Sequence, residues 1–267
     1  MYNDLWISNK VLDWKACESS SSSDLNMGER AYGILDHALT ILNNHSSPLY
    51  MVDVVTTLKR AVNHRLKTLN KIYEFDTIPI NSKPIGLLRQ LEFFGIIKPL
   101  MLQELLKIRN DVEHNDRTPP KKIYCQKLYE FVWYFLRSTD VIASKKVESM
   151  SLLPSGKLAE DCIYWIAVTM NAKSIWKINM SGWFHANLLF AVDKNNTFRL
   201  NVNKAETKND FLKRIKSLSK NSRFFKEMVS DISSAYPPDP SFLYLDGQMM
   251  IDEKAMTKIF KKYFSLL

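Results

Sequence analysis

Apolar side chains recur at three- and four-residue steps through residues 49–74. Val52, Val55, Leu58, Val62, Leu66, Leu69 and Ile72 fall on one side of a long helix. The same period predicts a helix over 28–44 (Ile34, Ala38, Ile41, Leu42), stopped by "SSP", and another over 85–94 (Ile85, Leu88, Leu91, Phe94). A further helix carries Leu102, Leu105, Leu106 and Val112 and ends before Pro119-Pro120. Residues 121–143 close this half with Tyr124, Leu128, Phe131, Val132, Phe135 and Leu136 on one stripe. Beyond residue 150 the period changes. Trp176, Ile178 and Met180 alternate with polar residues, as do Phe198, Leu200 and Val202. "NLLFAVDKNNTFRLNV" reads as a hairpin across a Lys-Asn-Asn turn, and "FLYLDG" as a strand. Helices are expected over 157–170, with Cys162, Ile163, Ile166 and Met170 facing inward, and over 208–219, 222–234 and 252–266. The fold class this predicts is mainly α: a helical domain over 1–149, then a smaller α+β domain over 150–267, joined near "SMSLLPSG". The apolar stretch 1–18 should dock on the body, and "SSSSSD" at 19–24 reads as a flexible linker.

Composition narrows the class without naming a function. Apolar residues make up 46% and charged residues 24% of the 267 positions, as in soluble globular proteins. Only 7 glycines are present, which disfavours folds built on glycine-rich nucleotide loops. The net charge of +9 is uneven: 20 Lys and Arg face 17 Asp and Glu before residue 150, and 17 face 11 after it. Such an excess suits nucleic acid or another polyanion. Cys17, Cys125 and Cys162 are far apart and form no CxxC pair, and the five histidines show no metal-ligand spacing with them. A reduced, cytoplasmic protein without metal or cofactor is the expectation. The longest apolar run, "CIYWIAV", is too short to span a bilayer.

One stretch concentrates chemistry. "KIRNDVEH", residues 107–114, brings Arg109, Asn110, Asp111, Glu113 and His114 into less than two helical turns. Arg109–Glu113 and Asn110–His114 are four apart, so each pair shares a face, and a solvated helix end with an exposed ion pair accounts for that much. Arg109 and His114 are five apart, about 140° around a regular helix. A site using both would need a bent helix end or a group from a second chain.

Arg109-Asn110 and His114, set at the end of a later helix of a helical bundle, resemble the ribonuclease members of the HEPN domain superfamily over roughly residues 28–143. In that family an Arg, a polar residue, a few further residues and a His form the motif. The resemblance implies metal-independent RNA cleavage by a homodimer in which two motifs share a cleft. His114 would serve as general acid or base, Arg109 would hold phosphate oxygens, and Asn110 would orient the imidazole or bind phosphate. It also implies an alternative, because many members keep the fold as non-catalytic RNA- or protein-binding modules. The reading is therefore a cytoplasmic endoribonuclease, of the toxin or antiviral-defence kind, with RNA as substrate, a neutralising antitoxin or regulatory protein as a further partner, and no membrane. Residues 150–267 match no family by inspection.

A second candidate lies in the C-terminal half. Lys208, Lys213, Arg214, Lys216, Lys220, Arg223 and Lys226 cluster beside Phe224 and Phe225. Lys213, Arg214 and Lys216, with Lys107 from the motif helix, are candidate RNA-binding residues. The alternative is a solvated face over buried Phe211, Leu212, Ile215 and Leu218. His185 in "GWFHAN" reads as a satisfied core residue.

Overall fold

The computed structural model describes residues 4–22, 29–115, 117–154, 165–171, 176–218 and 241–267. The chain divides into two compact units. One takes residues 22–76, 82–146 and 267, and the other takes 1–21, 77–81 and 147–266.

The first unit is helical. It contains α1 (Glu29–Asn44), α2 (Pro48–Tyr73), α3 (Leu87–Phe93), α4 (Leu100–His114), α5 (Lys122–Ser138) and α6 (Asp140–Ser144). Pro48 starts α2, where its missing N–H costs nothing, and Glu74 ends it in a left-handed conformation at φ 44°. α2 is the hub, packing against α1, α4 and α5. It therefore buries more than the one stripe that its period suggests. Met51, Val54, Ala61 and Arg65 are buried along with Val55, Leu58, Val62 and Leu69.

Arg65 is a charge in this core, its side chain 0% exposed. It donates to the Thr139 carbonyl at 2.9 Å and to Asp140 Oδ1 at 2.8 Å. Tyr32 on α1 donates to the other carboxylate oxygen at 2.6 Å. Burial, and then the bond to Asp140, push the Tyr32 phenol up to about 12, so it remains a donor. One carboxylate thus ties α1, α2 and the α5–α6 junction together.

The second unit contradicts the mainly α expectation. An eight-stranded sheet fills it, in the order β2-β3-β4-β5-β8-β7-β1-β6. The strands are β1 (Asp4–Ser8), β2 (Lys15–Ser22), β3 (Lys146–Leu153), β4 (Ile166–Asn171), β5 (Lys177–His185), β6 (Leu189–Phe190), β7 (Thr197–Glu206) and β8 (Phe242–Met249). Two helices accompany them, α7 (Lys208–Leu218) and α8 (Glu253–Ser265). The protein is therefore mixed, with one helical unit and one unit built on an antiparallel sheet.

Four readings change with it. Residues 19–22 of the expected linker are not a linker but the end of an edge strand, β2, and residues 23 and 24 lie outside the described residues. The Ser19 and Ser20 hydroxyls lie 2.6 and 2.7 Å from those of Ser151 and Ser149 on β3. The segment around the expected domain join is β3, with Val147, Met150 and Leu152 buried. The end of the expected 157–170 helix is β4, because Ile166, Val168 and Met170 all point into the core, the first two paired with β3 and β5 and Met170 with β5; residues 157–164, including Cys162 and Ile163, lie outside the described residues. The expected hairpin is interrupted: β1 inserts between β6 and β7, with Trp6 opposite both Phe190 and Arg199. That insertion buries Leu5 and Ile7, the alternating apolar positions of β1.

β5, β8 and β7 are adjacent at the centre, and glycine permits the close approach of β8 to β7 and of β5 to the residue before β4. A Cβ on Gly247 would sit 2.5 Å from the Asn201 carbonyl oxygen, and one on Gly182 (φ 151°) 2.4 Å from that of Trp165. α7 lies against this centre through Phe211, whose ring is 5.1 Å from Trp183 and 4.6 Å from Tyr244. α8, capped by the Asp252 carboxylate on the Ala255 N–H at 2.7 Å, buries Phe260 and Tyr263 against Trp176. The expected 222–234 helix lies outside the described residues. Among the described residues no helix is long and apolar enough to cross a membrane. Cys125 is buried, and burial raises its thiol to about 11.

The Arg65 clasp supplies a stability test. Asp140→Ala leaves a fully buried guanidinium without its counter-ion, and urea unfolding is expected to show a loss of about 3–5 kcal/mol. Asp13→Ala, which breaks an exposed pair with Lys258, is expected to cost less than about 1 kcal/mol. Equal costs would show that the clasp contributes no more than a surface pair.

Candidate active site

α4 explains both the position and the half-burial of the motif. Leu102 and Leu105 are its buried residues. The same stripe, continued by steps of four, reaches Arg109 and then Glu113. These two charged side chains therefore occupy positions that would otherwise be core, and they are only 20% and 22% exposed. Asn110 and His114 flank the stripe and are exposed. The helix stops at His114, and its last turn is fastened by Asp111, which accepts from Asn115 Nδ2 at 3.1 Å and pairs with Arg117 at 2.9 Å. Asp111 thus shapes the helix end.

The 140° separation does not keep Arg109 and His114 apart. The guanidinium is long enough to reach along the helix end, and Nη1 lies 3.1 Å from His114 Nε2 and donates to Asn110 Oδ1 at 3.0 Å. No bend and no second chain is needed to bring the three together. Nη2 forms an ion pair with Glu113. Glu113 is held in turn by α2, where Thr56 donates to its Oε1 at 2.7 Å. The Thr56 hydrogen bond, opposed by burial and reinforced by Arg109, keeps the Glu113 carboxyl below the ordinary glutamate range.

This geometry selects the tautomer of the neutral imidazole. A guanidinium only donates, so Nε2 must accept, and the neutral ring carries its proton on Nδ1. The Nε2 lone pair points at Arg109, and a phosphate oxygen that took Nη1 would release it to accept a proton. Arg109 Nε is buried without a hydrogen-bond partner among the described residues. Among those residues no group of three or more His, Cys, Asp or Glu side chains is gathered as a metal site requires.

The second candidate is more dispersed. Arg214 is bound to Glu206 through Nε and Nη2, at 2.9 and 2.8 Å, with its guanidinium carbon 4.7 Å from the Phe211 ring centroid. Its charge is therefore already matched. Lys213 lies 4.0 Å from Asp210, and Lys216 and Lys107 are exposed on their helices. Phe211 and Ile215 are buried beneath α7. Lys220, Arg223, Phe224, Phe225 and Lys226 lie outside the described residues. His185, half-buried, accepts from the Asn187 N–H at 3.2 Å and lies 3.0 Å from Ser241 Oγ.

Sequence reasoning reached Arg109, Asn110 and His114 but not Thr56, and it treated Glu113 as solvation. The available signal was the period itself, because an Arg and a Glu on the continued apolar stripe of α4 call for a buried polar partner. No family model, curated protein or solved structure matches the chain.

Thr56→Val removes the donor to Glu113. A carboxyl held low lends stability that is complete above the ordinary glutamate range and fades as pH falls through the lowered value. In the variant the Glu113 carboxyl, followed by ¹³C NMR, is expected to titrate at higher pH, and the acid-side loss of stability should move up with it. An unchanged titration would mean that Thr56 does not set the charge of Glu113.

Proposed function

We propose that the protein is an endoribonuclease of HEPN type that cuts RNA at the exposed end of α4. The observation that carries this reading is the meeting of Arg109, Asn110 and His114 within one chain, with Arg109 aimed by Glu113. The chemistry asks for a base and a cation, and these side chains supply both. His114 Nε2 takes the proton of a ribose 2′-hydroxyl as the 2′-oxygen attacks the adjacent phosphorus. Arg109 trades its bonds to His114 and Asn110 for the phosphate oxygens, where negative charge builds up. The P–O5′ bond breaks, the 5′-oxygen leaves as a hydroxyl with a proton from solvent, and a 2′,3′-cyclic phosphate remains. No step requires a metal ion.

Pairing of two chains is not needed to complete this set and enters the reading only as a way to enclose the RNA. Lys107, Lys213 and Lys216 are the cations best placed to meet RNA phosphates, since Arg214 is committed to Glu206. The biological setting that accords with such an activity is a cytoplasmic toxin or defence effector restrained by a neutralising or regulatory protein.

One observation favours a second reading, a non-catalytic RNA- or protein-binding module. Glu113 already neutralises Arg109, and a phosphate must compete with it.

The test is cleavage of a mixed RNA by the purified chain. Activity in EDTA with cyclic-phosphate ends is expected. His114→Ala should lower the rate by about 10²-fold or more, in the range of a general base. Arg109→Ala should be comparably impaired, and mixing the two variants should restore nothing. A wild-type chain that binds RNA without cutting it would leave the second reading.

A further inference from the structure

The sheet unit contains a cavity of about 480 Å³ that no part of the proposed nuclease site uses. Its walls come from two distant stretches of chain, the end of β1 with the 3₁₀ turn after it, and the segment from His185 to Thr197. A buried asparagine joins them. The Asn9 N–H donates to the Asn196 carbonyl at 2.9 Å and its side-chain amide to Asn196 Oδ1 at 3.0 Å. Asn196 adopts φ 67°, a left-handed conformation that asparagine tolerates, so the loop turns back over β1 and is fixed there. Thr197 adds a second clamp, its hydroxyl accepting from the Lys194 N–H at 3.2 Å and donating to the Lys194 carbonyl at 2.7 Å. The cavity is thus preformed.

Its lining has a definite chemistry. Lys10 and Lys194 contribute two ammonium groups, and no acidic residue is among the lining side chains. Neither lysine has a carboxylate partner among the described residues. Lys194 Nζ is held 4.4 Å from the centroid of the Phe190 ring, which fixes a cation at the wall. Trp14 and Phe190 supply aromatic surface, and Asn187 and Asn195 supply amides that both donate and accept. His185 shares the cavity with a serine neighbour but cannot act as its base. The Asn187 N–H occupies Nδ1, so the neutral ring carries its proton on Nε2 and donates it to Ser241. This arrangement binds rather than cleaves.

We infer that this cavity is a binding site for a nucleoside monophosphate unit, with the lysines on the phosphate and the rings and amides on the base. Two lining lysines, with no acid among the lining side chains, call for an anion. Aromatic rings beside amides suit a planar heterocycle with polar edges, and the volume is that of a small-ligand site. The unit arrives either as a free nucleotide or as the terminal residue of an RNA. The inference does not rest on the nuclease reading, since no residue of α4 takes part.

The test is calorimetric titration of the full-length chain with adenosine and uridine 5′-monophosphates, with adenosine and inorganic phosphate as half-ligands, and with a short 5′-phosphorylated RNA. The monophosphates are expected to bind more tightly than either half-ligand. Lys10→Ala and Lys194→Ala, both at exposed positions and checked for an unchanged unfolding transition, should each weaken binding by about tenfold. His114→Ala should bind the free monophosphates as the wild type does, which separates this site from α4. In that variant, which cannot cut the RNA, tighter binding of the free monophosphate identifies a nucleotide ligand, and tighter RNA binding that the added Lys10→Ala/Lys194→Ala changes abolish identifies an RNA end. No saturable binding of either monophosphate at millimolar concentration, or binding retained by the Lys10→Ala/Lys194→Ala double variant, would overturn the inference.

Discussion

A guanidinium taken wholly out of water is tolerable only if its partners are in place, and Arg65 imposes that condition on the helical unit. Its counter-ion stands at the junction of α5 and α6, its carbonyl acceptor is one residue away, and the tyrosine that shares the carboxylate is on α1. The helices cannot slide along one another without breaking a charge-assisted bond in a low-dielectric interior. Such a clasp is weak evidence for net stability, but it specifies register. Thr56 lies nine residues earlier on the same helix, a rise of about 13.5 Å. The order runs from the buried clasp to the seating of α2, then to the hydroxyl that holds Glu113, and finally to the direction in which Arg109 faces.

The two arginines of chemical interest share a design. Arg109 and Arg214 are each half-buried and each face a glutamate, Glu113 and Glu206. In both cases the carboxylate limits the guanidinium's reach. The net +9 already subtracts these two glutamates, so neither arginine contributes to the excess that a polyanion meets. Within the described residues that charge resides in lysines such as Lys10, Lys107 and Lys194, whose flexible stems hold point charges and no fork.

The helices were legible because their stabilising contacts repeat along the chain. Val55, Leu58 and Val62 declare a face without reference to any partner. The sheet was less legible because its partners are remote. Nothing near Leu5 and Ile7 says that residues 189–201 will flank them, and nothing in a serine run says that Ser149 and Ser151 will stand opposite. The stretch "SMSLLPSG" reads as a join because the alternation of β3, which it overlaps, is diluted by Glu148, Ser149 and Ser151. At α4 the residue types were legible but their geometry was not. Counting degrees around a helix places Cα atoms, whereas a side chain as long as arginine can cross that angle.

The insertion of β1 between β6 and β7 has a consequence in time. β1 leaves the ribosome before β6 and β7, its pairing partners, which are synthesised some 190 positions later. The helical unit draws on one nearly continuous stretch, and its contacts can form as it emerges. The sheet must instead close a very long loop before its centre is complete, the situation in which strand assembly is slow. Until then Leu5, Trp6 and Ile7 travel as an unpaired apolar strand, and the growing chain carries a segment that a chaperone, or another copy's unfilled sheet, would recognise before β7 does.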